Sequence, residues 1–297
     1  MTPTTAPLVR LSPQGRRMVM WVLWAGAVLG ALIGFGAFRL HLTADPLADV
    51  RAYYDAGARL NAGLPLYSQP AGTDDADFYR YPPLLAILFR PLALLPFETA
   101  ALVWAAILLV ASGVTLWRIG VGRTTAMVLG MLAMPILWTL AIGQAQALVT
   151  MLLAFGSPLG GALAGHLKLT PWLAAVYWAG RRDVRALGRF AAWLLAIALL
   201  QLILEPQATI DFLRFPSLAQ VGDVNSLSPY AVSPLLWLLF VVLGTLLAWR
   251  LAPTRWGWTA AVALTVFATP RLLGYQLSTL FAVLGGPRSE RRAEAEA

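Results

Sequence analysis

"MVMWVLWAGAVLGALIGFGAF", residues Met18 to Phe38, decides the fold class. The run carries no charge and is long enough, as a helix, to cross roughly 30 Å of hydrocarbon. Arg10, Arg16 and Arg17 precede it. It is too long for a signal-peptide core and no small-residue cleavage site follows closely, so it reads as an uncleaved first span with a cytoplasmic N-terminus. Similar runs recur along all 297 residues, of which 59% are hydrophobic and only 12% charged. A mean hydropathy of +0.70 is too apolar for a water-soluble domain. The runs are continuous and do not alternate, which excludes a closed β-barrel. The expectation is an all-α, polytopic helical membrane protein with about eight to ten membrane helices.

The net charge of +8 resembles a nucleic-acid signal until the arginines are placed. They cluster between apolar runs: Arg118 and Arg123; Arg181, Arg182, Arg185 and Arg189; Arg250 and Arg255; Arg288, Arg291 and Arg292. That is the positive-inside pattern of cytoplasmic loops, and no nucleic-acid partner is expected. The chain has no cysteine, hence no disulfide or thiol chemistry. No phosphate-binding Gly-x-x-x-x-Gly-Lys loop, Gly-x-Gly-x-x-Gly turn or Gly-x-Ser-x-Gly elbow occurs.

The patches set the expected topology, a single membrane-embedded domain over 1–297. A cytoplasmic segment, 1–17, leads into the first span, which delivers a polar segment, 39–98, to the outer face. Spans near Thr99–Leu116 and Thr124–Leu140 follow. Between Ala145 and Tyr177, Gly156, Pro158, Gly160, Gly161, Gly165 and Pro171 interrupt the apolar chain. One short span and two half-depth helices meeting near Lys168 are expected there, since broken helices at membrane depth survive only where they line a protein-enclosed cavity. A second outer segment covers 205–233, and a charged cytoplasmic tail covers 287–297. The carboxylates concentrate in the outer segments, so acid–base chemistry should face outward, across a cell (inner) membrane.

In the first outer segment, "LADVRAYYDAGARL" has helical spacing that puts Asp49 and Tyr53 on one face. "RYPPLLAILFRPLALLP" is too short for a span and reads as an interfacial helix against the outer leaflet. The order "DVRAYYDAGARLNAGLPLY", "YRYPPLLAILFRPLALLP", "IGQAQALVTMLL", "AGHLKLTP", "VNSLSP", "ATPRLLGY" resembles glycosyltransferase family 87 over roughly residues 40–285. These are multi-spanning, GT-C-like mannosyltransferases. Where the family has Gly-Gln-x-Asn, this chain has Gly143, Gln144, Ala145 and Gln146.

The resemblance implies transfer of a hexose, expected to be mannose, from a polyprenyl-phosphate sugar to a hydroxyl of a glycan or glycolipid acceptor at the outer face, with inversion. It implies no cofactor, because the donor is already activated on lipid. No metal is expected, since the acidic run "TDDADF" has no regular ligand spacing and lacks histidine. It maps the catalytic base onto Asp49 and its partner tyrosine onto Tyr53. Lys168 is the only lysine in the chain and lies in an apolar stretch. An ammonium there either snorkels to the interface or holds the donor phosphate as a point charge. Arg80 and Arg271 lie on the expected outer side, against the positive-inside trend, and join Lys168 as phosphate candidates. Tyr81 beside Arg80, Gln144 and Gln146 at a polar helix start, and Asn225 in a loop are candidates for sugar binding. His166 reads as a packed histidine. Two other readings stay open: a transporter or flippase of a lipid-linked or anionic solute, which also uses broken helices, and a non-catalytic membrane scaffold.

Overall fold

The computed structural model describes residues 12–44, 46–67, 79–214 and 226–287. Among these the chain is helical throughout, in α and 3₁₀ segments, as expected of a polytopic all-α membrane protein. Four helices are long and apolar enough to cross a membrane: α1 (Pro13–Ala44), α4 (Phe97–Ile119), α10 (Val184–Leu204) and α12 (Pro234–Leu251). A fifth crossing is a broken pair, α5 (Arg123–Met131) and α6 (Ala133–Ala141), bent by 63°. The expected straight span over Thr124–Leu140 is thus divided. Pro135 supplies the reason: its ring would clash with the Met131 carbonyl four residues back, so one helix ends there and another begins.

The rest of the apolar chain among the described residues folds as shorter helices. α7 (Gln146–Ala154) and α8 (Pro158–Leu167) are followed by a 3₁₀ turn (Thr170–Ala174) and α9 (Ala175–Gly180). α8 starts on Pro158, with the Ser157 hydroxyl accepting from the Gly160 N–H at 3.0 Å. It stops at Lys168, whose backbone is extended (φ −150°, ψ 123°), three residues before Pro171. α13 (Gly257–Phe267) and a 3₁₀ stretch (Gly274–Leu284) complete the inner layer.

The segment expected as an interfacial helix is instead α3 (Pro83–Phe89), only seven residues, followed by a 3₁₀ turn over Leu92–Leu94. Pro83, Leu84, Leu85, Ala86 and Phe89 are buried against α2 (Ala48–Asn61) and α8. Arg90 keeps helical dihedrals (φ −51°, ψ −49°), and the ladder ends at Pro91, which has no amide hydrogen to donate back to the Ile87 carbonyl. Arg90 pairs with Glu205 and donates through Nε to the side-chain oxygen of Asn61, Oδ1 (2.9 Å).

Side-chain contacts define two ends of the bundle. At one end Arg118 donates to the Gly286 carbonyl (2.6 Å) and the Phe155 carbonyl (3.3 Å), and Arg181 donates to the Ala252 carbonyl (3.1 Å). The arginine-rich turns gather there. At the other end lie the N-terminus of α2, the C-terminus of α6, the end of α8 and the loop after α13. A cavity sits among these.

Candidate functional site

The cavity holds about 340 Å³ and is lined by residues from five separate stretches of chain, within 48–49, 80–82, 138–149, 168–171 and 265–279. Its floor begins where α6 meets α2 end to end. The last carbonyls of α6 have no partner within their own helix. The Leu47 and Asp49 amides supply one each, to the Ala141 carbonyl (3.1 Å) and the Ile142 carbonyl (3.2 Å). To make this joint, Leu47 adopts the left-handed region (φ 56°, ψ 26°), a strain of order 1–3 kcal/mol. Gly143 turns at φ +70°, and a Cβ there would stand 2.1 Å from Val50 Cγ2, so only glycine fits. The joint fixes Asp49 in the first turn of α2, half-buried at the cavity edge.

Lys168 faces it from the end of α8. The residue is 9% exposed, and its ammonium has no hydrogen-bond partner among the described residues. It lies over two phenol rings instead, 5.1 Å from the centre of Tyr81 and 5.2 Å from that of Tyr275, a favourable but incomplete replacement for water. Burial works against the charge and pushes the Lys168 pKa down to about 7, while the nearby Asp49 carboxylate acts in the opposite sense and favours the ammonium form. Asp49 and Lys168, 119 positions apart in the chain, therefore share one cavity.

Arg80, Tyr81, Gln146 and Arg271 line the same space. Burial and the nearby Asp49 charge push the Tyr81 hydroxyl up to about 12, so it stays protonated at neutral pH. Gln146 donates to Thr279 Oγ1 (2.5 Å), and its carbonyl oxygen is buried without a hydrogen-bond partner. Such an acceptor costs free energy until a donor arrives.

Other expected residues fall elsewhere. Tyr53 and Gln144 are fully buried behind the cavity wall. The Tyr53 hydroxyl donates to Gln144 Oε1 (2.5 Å), and Gln144 Nε2 donates to the Tyr81 (3.0 Å) and Tyr275 (3.2 Å) hydroxyls. Gln144 thus has its amide fully engaged by protein. Asn225 lies outside the described residues, as does the acidic run "TDDADF". Its neighbour Ser226 accepts from the Leu272 amide at 3.1 Å, which seats that loop beside Arg271.

His166 is packed. Its Nδ1 accepts from Gln201 Nε2 (2.7 Å), so its N–H is Nε2, donated to the Leu194 carbonyl (3.0 Å). The same Gln201 accepts from the Leu84 amide (2.9 Å). One side chain of α10 therefore ties the α8 end that bears Lys168 to the α3 start that follows Tyr81. Neither Gln201 nor Tyr275 stood out as a site residue in the sequence. Tyr275 carried a signal nonetheless, as a polar aromatic four residues beyond Arg271 in a Pro/Gly-broken segment.

No curated protein and no solved structure matches the chain. A family model, glycosyltransferase family 87, matches residues 78–285, well over half of the sequence. The matched region carries Arg80, Tyr81, Gln146, Lys168, Arg271 and Tyr275 and begins after α2, so Asp49 is placed by geometry alone. With that match and this helical architecture, the chain belongs to glycosyltransferase family 87 and is a multi-pass membrane glycosyltransferase.

Proposed function

We propose that the protein transfers a hexose, mannose in the first instance, from a polyprenyl-phosphate carrier to a hydroxyl of a glycan or glycolipid on the outer face of the cell membrane. The observation that carries this reading is the shared cavity of Asp49 and Lys168. The acceptor hydroxyl gives its proton to the Asp49 carboxylate as its oxygen attacks the anomeric carbon. The bond from that carbon to the phosphate oxygen breaks, and the electron pair leaves on the phosphate, which passes from a diester monoanion toward a monoester dianion. Attack opposite the departing oxygen inverts the centre.

The charge that develops on the phosphate is the part that needs help, and preorganised cations supply it without reorganisation. Lys168 gives a compact charge; Arg80 and Arg271 offer planar forks. Gln146 Oε1, buried and unsatisfied, suits a sugar hydroxyl donor. A second cavity of about 200 Å³ lies between α4, α6 and α7 near Thr139 and Ser278. Its Ser112, Thr115 and Thr150 hydroxyls already donate to their own helix carbonyls, so it presents a dry lining suited to isoprenoid. The cavity end lies opposite the arginine-rich turns, and the positive-inside rule then puts it outside.

The test is release of polyprenyl phosphate from polyprenyl-phosphate-mannose by the purified protein in lipid nanodiscs, with a glycolipid acceptor present. Release by the wild type and none by Asp49→Asn supports the assignment. Equal release by both would remove Asp49 as the base.

A further inference from the structure

The hydrogen bonds behind the cavity wall run in one direction. The Ala145 amide donates to the Tyr53 oxygen (3.4 Å), and Tyr53 donates to Gln144 Oε1 (2.5 Å). The two N–H groups of Gln144 then go out to the Tyr81 and Tyr275 oxygens. In this arrangement Tyr81 is the receiving end: its oxygen accepts from the buried cluster, which leaves its own proton to point away from it.

The reverse orientation of the Gln144 amide is less even. It would aim two N–H groups, those of Ala145 and Gln144, at the single oxygen of Tyr53. It would also turn the Tyr81 and Tyr275 protons inward to share one carbonyl oxygen. Buried amides settle in the orientation that satisfies most partners. Of the four side chains, Tyr53 and Gln144 are wholly enclosed, whereas Tyr81 and Tyr275 border the cavity. Tyr81 also carries the Lys168 ammonium over its ring face.

We propose that Tyr81 donates its hydroxyl proton into the cavity, to an oxygen of the bound phosphate, and that Tyr53 and Gln144 are positioning residues that hold it in that sense. This rests on the phosphate reading above. Hydrogen bonds already accepted by a phenol polarise it and strengthen the bond it donates. Lys168 and Tyr81 would then grip one anion from a single structural unit, the charge above the ring and the donor at its rim. A residue with no contact with the ligand thereby acquires control over its affinity.

The experiment is a double-mutant cycle on the full chain in detergent, with geranyl phosphate as the probe and binding read by calorimetry. Tyr81→Phe is expected to weaken binding about tenfold, the worth of one hydrogen bond to a charged acceptor. Tyr53→Phe, outside the cavity, should weaken it by a similar factor, and the double variant should be no worse than Tyr81→Phe alone. Independent, multiplying losses would overturn the relay, as would a Tyr53→Phe protein that binds normally. Should Tyr53→Phe fail to fold, Gln144→Leu in the wild-type and Tyr81→Phe backgrounds supplies the same cycle. A wild type that binds no geranyl phosphate overturns the phosphate reading and the relay's ligand together. Binding that Lys168→Met abolishes and Tyr53→Phe leaves intact overturns the relay alone.

Discussion

Two buried cations, Arg118 near one end of the bundle and Lys168 at the other, receive opposite treatment. Arg118 is 5% exposed and donates to two backbone carbonyls, pinning the end of α7 to the residues after the last 3₁₀ stretch. Lys168 is nearly as buried, yet its ammonium finds only ring faces and the field of a carboxylate. A buried charge anchored on backbone carbonyls, as Arg118 is through its Nη2, holds a structure together; an ammonium without hydrogen-bond acceptors stays costly until acceptors arrive. That contrast is what supports Lys168 as the proposed phosphate-binding group.

The strongest way to break the contrast is at the carboxylate that accompanies Lys168. Asp49→Asn keeps the shape and should lower the transfer rate by about 10²–10⁴-fold, measured as sugar released per folded molecule. Next comes the lysine itself. Lys168→Met should weaken prenyl phosphate binding about ten- to a hundredfold, the range for a charge-assisted bond, while the thermal midpoint holds or rises because an under-bonded buried charge is gone. A fall in the midpoint with unchanged affinity would make Lys168 a second fastening. Arg118→Met should do the reverse, costing about 1–3 kcal/mol through carbonyls left without a donor and leaving affinity per folded protein unchanged, as read by thermal unfolding in detergent. The smallest effect belongs to the half-exposed Arg90–Glu205 pair, with side chains 38% and 19% exposed. Arg90→Ala should cost below about 1 kcal/mol and spare transfer.

Much of this could be read from residue types alone. Apolar run length and arginine clusters gave the helical membrane class, and a solitary lysine at a Pro/Gly break led to the cavity. α3 was misread because its composition, apolar with one arginine, is the same for a helix on a lipid surface and one buried against α2; only the Arg90–Glu205 pairing tells them apart. Gln144 was expected to face sugar, and its amide is instead spent on three phenols. Sequence shows that a polar side chain is present, not which partners reach it first. Tyr275 and Gln201 act across separations of 131 and 35 residues, to Gln144 and His166, distances over which local patterns carry no information. The 63° bend was written in Pro135 and could have been read.

α1 rests on the bent pair through a seam so close that a Cβ on Gly34 would stand 2.6 Å from the Ala133 backbone. Seven residues further on, His41 of the same helix stacks on Trp138, ring centres 4.6 Å apart, and Trp138 forms part of the cavity lining. A rigid rod carries displacement along its length, so one added methyl at Gly34 would lift the helix and drag the indole with it. Remote positions of the first helix are thus mechanically geared to the proposed site, and a screen for altered turnover should find variants there that never touch a substrate.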